Sequence, residues 1–173
     1  VRENRNGSLV TLAYGNPCSL NNDPIEKKPL FHVLPGTFTY SIATVGCNIK
    51  CLFCQNWQIS QAGPEDVRST LMSPEQIVQQ ALNHKAESIS FTYSEPTVWF
   101  EYMRDVCLAA KGTTLKKVLV SNGYINAKPQ AELFKLVDAI KIDFKAFSET
   151  FYKDICSAHL RPVLDSLQRV KDS

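Results

Sequence analysis

Three cysteines stand within eight residues in Cys47-Asn48-Ile49-Lys50-Cys51-Leu52-Phe53-Cys54, separated by three and then two residues. Deprotonated thiols are soft ligands that suit zinc or iron–sulfur clusters. A structural zinc site takes four protein ligands, commonly as two close pairs. No obvious fourth ligand accompanies these three: Cys18, Cys107 and Cys156 stand alone, and His32, His84 and His159 are scattered. A cubane cluster can be held by three thiolates, which leaves one iron free to bind something else. That open iron is the informative feature. An aromatic residue, Phe53, precedes the last thiol.

Such a loop needs rigid elements to carry it, and the flanking pattern supplies them. A β-branched and aromatic run from Thr37 to Val45 reads as a strand that stops at Gly46. Ser73-Pro74-Glu75 reads as an N-cap, a first-turn proline and an acidic first turn, with Ile77, Val78, Ala81 and Leu82 at helical spacing behind it. Strands follow at Ser88 to Tyr93, Lys117 to Ser121 and Ala139 to Phe144. Helices are expected at Pro96 to Lys111, ended by Gly112, at Pro129 to Val137, and from Pro162 to about Lys171. Strand–helix alternation repeated four times predicts an α/β fold with a parallel sheet of βα units. Residues 1–36 carry turn signals at Gly15-Asn16-Pro17, Asn21-Asn22-Asp23-Pro24 and Pro35-Gly36, and are expected to form an irregular extension packed on a core of residues 37–173.

Composition narrows the function. The chain has 173 residues, a formal charge of +2, 44% hydrophobic and 21% charged residues. That suits a folded domain rather than a disordered chain. No Lys/Arg stripe suggests nucleic acid, and the pairs Lys27–Lys28 and Lys116–Lys117 read as solvated faces. Leu30 to Ile49 lacks Asp, Glu, Lys and Arg, but His32, Pro35, Gly36 and several hydroxyls argue against a membrane span. The N-terminus lacks a signal-peptide core, so the expected setting is cytoplasmic. In that reducing compartment clustered thiols point to metal or redox chemistry rather than disulfides.

The motif CxxxCxφC, with Phe53 as its aromatic, resembles the signature of the radical S-adenosylmethionine (SAM) enzymes. More narrowly, residues 1–7 and 23–30, Cys54-Gln55-Asn56-Trp57 and Thr92-Tyr93-Ser94-Glu95-Pro96-Thr97 resemble the AmmeMemoRadiSam-system subgroup, which is related to the pyruvate formate-lyase activating enzyme. The resemblance runs along essentially the whole chain and implies a partial (β/α) barrel of the radical SAM type. It implies that Cys47, Cys51 and Cys54 ligate a [4Fe–4S] cluster whose fourth iron chelates the methionine part of SAM. Phe53 would pack near the adenine, and Ser94 and Glu95, in the position of a Gly-Gly-Glu-Pro motif, would help hold the methionine ammonium. Asn122, in Ser121-Asn122-Gly123, would contact the cofactor. Asp143 and Lys145 match an Asp-x-Lys segment whose lysine contacts its carboxylate. Val120 stands where activating enzymes often carry a cation-binding aspartate, so a monovalent cation site is not expected. These segments all fall at strand carboxyl ends, where such barrels keep their active sites.

The implied activity is reductive cleavage of SAM to a 5′-deoxyadenosyl radical that abstracts hydrogen from a substrate, with a reductant such as flavodoxin or ferredoxin. The substrate stays open, a protein among the candidates. Plain alternatives stand beside each site: Glu95 as a helix-start acid before Pro96, Asp143 and Lys145 as a surface pair, Ser121-Asn122-Gly123 as a turn. For the whole chain the alternatives are an electron-transfer iron–sulfur protein and a zinc-stapled interaction module. Relatives of the implied fold show six βα units against four here, and the chain starts at Val1, so a piece of a longer enzyme is expected.

Overall fold

The computed structural model describes residues 1–173. The first 36 residues are not the irregular extension expected. β1 (Arg2–Arg5) and β2 (Ser8–Thr11) form an antiparallel hairpin around Asn6-Gly7, and both turn residues adopt positive φ, 52° and 86°. Asn-Gly favours the two-residue turn whose twist matches paired strands. β3 (Ser19–Pro24) then joins the main sheet, antiparallel to β4 (Phe38–Ala43). Pro24 ends this edge strand, where a missing N–H is tolerated.

The rest follows the βα pattern. β4 pairs in parallel with β5 (Ser88–Phe91), which pairs with β6 (Lys116–Ser121), which pairs with β7 (Ala139–Ile142). The sheet order β3-β4-β5-β6-β7 keeps successive strands adjacent. Between and after the strands lie α1 (Trp57–Ser60), α2 (Pro74–Asn83), α3 (Phe100–Ala109), α4 (Ala127–Phe134), α5 (Glu149–Cys156) and α6 (Leu160–Lys171). This is an α/β fold with a mostly parallel sheet of four βα units, as in part of a (β/α) barrel.

Period-two alternation divides each strand between two buried faces. Tyr40, Ile42, Ile89, Phe91 and Leu119 pack against Ile77, Val78 and Ala81 of α2 and Tyr102, Met103 and Val106 of α3. Thr39, Ser90, Val118 and Val120 alternate to the opposite face, where Thr39 Oγ1 and Ser90 Oγ lie 2.6 Å apart. Ile25, in a 3₁₀ turn over Ile25–Lys27, packs on Val118 and Val120 and covers that face. The turn after β3 is thereby brought beside the parallel strands.

Local chemistry explains where the elements start. Ser73 Oγ accepts from Gln76 N, and Ser73 N donates to Gln76 Oε1, a full capping box for α2. The helix expected from Pro96 is a 3₁₀ turn over Pro96–Trp99 followed by α3. β5 and β7 stop short of the expected ends, and residues 92–95 and 143–145 turn into the site instead. α5 was not foreseen, although Ser148 Oγ caps it by accepting from Phe151 N at 3.2 Å. No helix is long and apolar enough to cross a membrane.

Phe91 is fully buried between the sheet and the helices. Phe91→Ala should therefore lower unfolding free energy in urea by about 3–5 kcal/mol. A loss below about 1 kcal/mol would show that this face is not the packed core.

Candidate functional site

A cavity of about 750 Å³ opens at the carboxyl ends of the parallel strands. That lies within the usual range for cofactor and substrate pockets, about 300–1,000 Å³. Gly46 begins the cysteine loop at φ +89°, where a Cβ would overlap the Val1 side chain. The loop is fastened from the far end of the chain: Lys50 N donates to Cys156 O at 2.8 Å and Leu52 N to Ile155 O at 2.9 Å. Beneath it, Ile49, Tyr152, Cys156 and Val163 form a second small core.

Cys47, Cys51 and Cys54 all border the cavity. Burial pushes the Cys47 thiol up to about 11. Burial, and then a hydrogen bond with Cys156, push Cys51 up to about 12. Both are protonated at neutral pH, and metal binding must displace those protons. Asn122 Nδ2 lies 3.5 Å from Cys47 Sγ, and Ser60 Oγ lies 3.2 Å from Cys54 Sγ. Polar groups beside sulfur are a lever on cluster properties. The thiols are not gathered around one point where a single ion would sit. Three soft sulfur donors with polar neighbours on one cavity are a donor set whose chemistry fits an iron–sulfur cluster.

The other strand ends meet at Glu95, which is 1% exposed. Its Oε1 accepts from Thr97 N at 3.0 Å and Ser121 Oγ at 2.9 Å, and its Oε2 accepts from Asn122 N at 2.8 Å. Its own N–H reaches Gly46 O at 3.4 Å. Burial raises the carboxyl above the ordinary glutamate range against the pull of these donors. Glu95 does cap the Pro96 turn, as the plain reading held, but it also joins three strand ends.

Asn122 donates to Asn48 Oδ1 at 2.8 Å, which couples β6 to the cysteine loop. Ser94 Oγ donates to Thr44 O at 2.6 Å. Phe53 is half-exposed against Phe151, with ring centroids 5.8 Å apart. Asp143 lies between Lys141 and Lys145, the latter at 3.5 Å. Together with the three cysteines, Phe53, Ser94, Glu95, Asn122, Asp143 and Lys145 all border the same cavity.

Four further residues were not singled out from the sequence. Lys27, Lys28 and Tyr93 border the cavity, and Asp23 stands behind them. Lys28 does not lie on a solvated face: it is 1% exposed, with Nζ 2.7 Å from Asp23 Oδ2 and 4.3 Å from the centroid of the Tyr93 ring. Lys27 Nζ lies 2.8 Å from Asp23 Oδ1, and Tyr93 donates its hydroxyl proton to Asp23 Oδ2. Tyr93 adopts φ +69°, a glycine-like conformation at the position where glycine was the implied residue. The missed signal was the carboxylate of Asp23, four and five positions before the two lysines.

A thiol-lined, cofactor-sized cavity at the carboxyl end of a parallel βα sheet marks an α/β domain of the partial-barrel type. The chain belongs to the radical SAM superfamily, whose family model matches residues 41–173. It is 46% identical over 170 residues to "Uncharacterized protein MJ0808" of Methanocaldococcus jannaschii, covering 98% of this chain and 50% of that protein. It is 27% identical over 138 residues to "Uncharacterized protein MJ0674" of the same organism, covering 77% of this chain and 39% of the relative. The chain thus spans half or less of the length of these curated relatives. Among solved structures it resembles TYW1 with a lysine-pyruvate adduct bound, at a TM-score of 0.55 and 14% identity, over 88% of this chain and 61% of that one. That likeness supports the fold alone.

Asp23 gives the site a pH signature. Burial alone would raise its carboxyl, but hydrogen bonds from Lys27, Lys28 and Tyr93 outweigh burial and hold it well below the carboxylate range. A depressed native pKa contributes stability above the unfolded value of about 3.9, which is lost as pH falls below it. Unfolding free energy in urea should therefore drop more steeply between about pH 5 and pH 2 in the wild type than in Asp23→Asn. Identical acid slopes would remove Asp23 from this role.

Proposed function

We propose that this chain is the core of a radical SAM enzyme of the AmmeMemoRadiSam branch, related to the pyruvate formate-lyase activating enzyme. The observation that carries the reading is the convergence of three thiols, Glu95, Asn122 and the Asp143–Lys145 pair on one cavity at the strand ends. Cys47, Cys51 and Cys54 would hold a [4Fe–4S] cluster. When bound and reduced, that cluster supplies the electron that cleaves SAM to methionine and a 5′-deoxyadenosyl radical, which takes a hydrogen atom from the substrate.

The protein's own part is binding, orientation and exclusion of water. Lys145 offers its ammonium to the methionine carboxylate, steadied by Asp143. Asn122 orients the cysteine loop through Asn48 while facing the cavity. Glu95 fixes the backbone on which the methionine part rests by binding Thr97 N, Ser121 Oγ and Asn122 N. Phe53 offers a half-exposed aromatic face to the adenine. The reductant would be a cytoplasmic flavodoxin or ferredoxin, and a protein is one class of substrate the branch suggests.

The deciding experiment is anaerobic reconstitution, dithionite reduction and chromatographic assay for 5′-deoxyadenosine from SAM. Its formation is expected. A zinc-loaded protein without iron or sulfide, or a loaded cluster indifferent to SAM, overturns the reading.

Two variant sets sharpen it. Replacing Cys47, Cys51 or Cys54 by Ala should abolish cluster absorbance and iron content, while Cys107→Ala, buried in the helical core, should keep both. Loss of the cluster in Cys107→Ala would refute the ligand assignment. Lys145→Ala should leave the cluster intact and weaken SAM binding by about 10- to 150-fold, the loss of one charge-assisted hydrogen bond at about 1.5–3 kcal/mol. An unchanged calorimetric Kd would place Lys145 outside the cofactor site.

A further inference from the structure

Two triads of alternating charge border the cavity. In one, Asp143 lies between Lys141 and Lys145; in the other, Asp23 lies between Lys27 and Lys28. Each sets two ammonium groups against one carboxylate and keeps one uncompensated positive charge. The methionine carboxylate of SAM answers the first through Lys145, on the reading above. Nothing in that reading uses the second.

The second triad divides its charges unequally. Lys28 is buried, and its ammonium is enclosed by Asp23 Oδ2 and the Tyr93 ring face. The charge of Lys28 is therefore spent on Asp23 inside the protein. Lys27 touches the other oxygen of Asp23, yet its side chain is 61% exposed and borders the cavity. An ammonium has three donors, so Lys27 can keep Asp23 and still meet a ligand. We propose that Lys27 binds an oxyanion of the substrate, a carboxylate or a phosphate, and that Lys28 is a positioning residue. By taking the charge of Asp23, Lys28 leaves that of Lys27 available.

The inference rests on reading the cavity as a shared cofactor and substrate site, and it adds the class of substrate: a molecule with an anionic group facing the turn after β3. The two triads come from distant parts of the chain, so cofactor and substrate recognition can be varied separately.

The test uses cluster-loaded, oxidised protein saturated with SAM under anaerobic conditions. Inorganic phosphate and acetate are each titrated by equilibrium dialysis with labelled anion. Saturable binding of at least one is expected, and the tighter of the two tells a phosphorylated substrate from a carboxylic one. Lys27→Gln should weaken it about tenfold or more. Lys28→Gln should weaken it similarly although Lys27 is still present, because Asp23 then draws on Lys27. The double variant Lys28→Gln/Asp23→Asn should recover affinity, since Lys27 is again uncompensated; a purely structural role for Lys28 would worsen in the double variant instead.

SAM affinity and iron content should be unchanged in Lys27→Gln, whereas Lys145→Ala should lose SAM affinity and keep anion binding. The proposal is overturned if neither anion binds saturably, if Lys28→Gln has no effect, if the double variant gives no recovery, or if Lys27→Gln weakens SAM. Failure of the underlying reading has a separate signature, absence of SAM binding in the wild type.

Discussion

The site depends on a carboxyl group held in the interior by hydrogen bonds rather than by an ion pair. Glu95 gathers Thr97 N, Ser121 Oγ and Asn122 N onto its oxygens and gives its own N–H to Gly46. An unsatisfied buried polar group costs about 1–3 kcal/mol, so these donors and the carboxyl stabilise one another only in a single arrangement. The ends of β4, β5 and β6 are thereby tied at one point, and the register of the parallel strands transmits that tie along the sheet. Desolvation opposes the arrangement, as the raised carboxyl pKa records, and the donors offset it.

Tyr93 sits two residues before this hub, in a backbone conformation that costs an L-residue about 1–2 kcal/mol. The cost is offset on the other side of the chain: its ring lies under Lys28 and its hydroxyl donates to Asp23. A glycine would relieve the backbone and remove both contacts. The tyrosine thus links the β5 end to the turn after β3 and ties the wall formed by residues 23–28 to the site.

What could be read in advance were features written in short stretches. The thiol spacing, the Ser73-Pro74 helix start and the alternation of strands with helices depend on residues within a few positions of one another. The Lys27–Lys28 pair misled because burial of an ammonium depends on partners from another element, here the Tyr93 ring 65 positions away in sequence. The hairpin at Asn6-Gly7 and the Ser148 cap of α5 were local signals that were passed over. The role of Glu95 was half legible: its cap on the Pro96 turn is local, while its bonds to Ser121 and Asn122 arise only when β5 and β6 pair.

The fastening of the cysteine loop by α5 bears on how the protein is made. The carbonyls that receive Lys50 N and Leu52 N belong to Cys156 and Ile155, more than a hundred residues downstream. During synthesis all three thiols leave the ribosome long before the helix that orders their backbone exists. Contacts so distant in sequence close late, because the entropy of a long loop is lost before they form. Iron and sulfide arriving early would meet a flexible triplet of thiols, free to bind other metals or to oxidise. A cluster held by these thiols, as proposed, would therefore find its loop ordered only once α5 has docked.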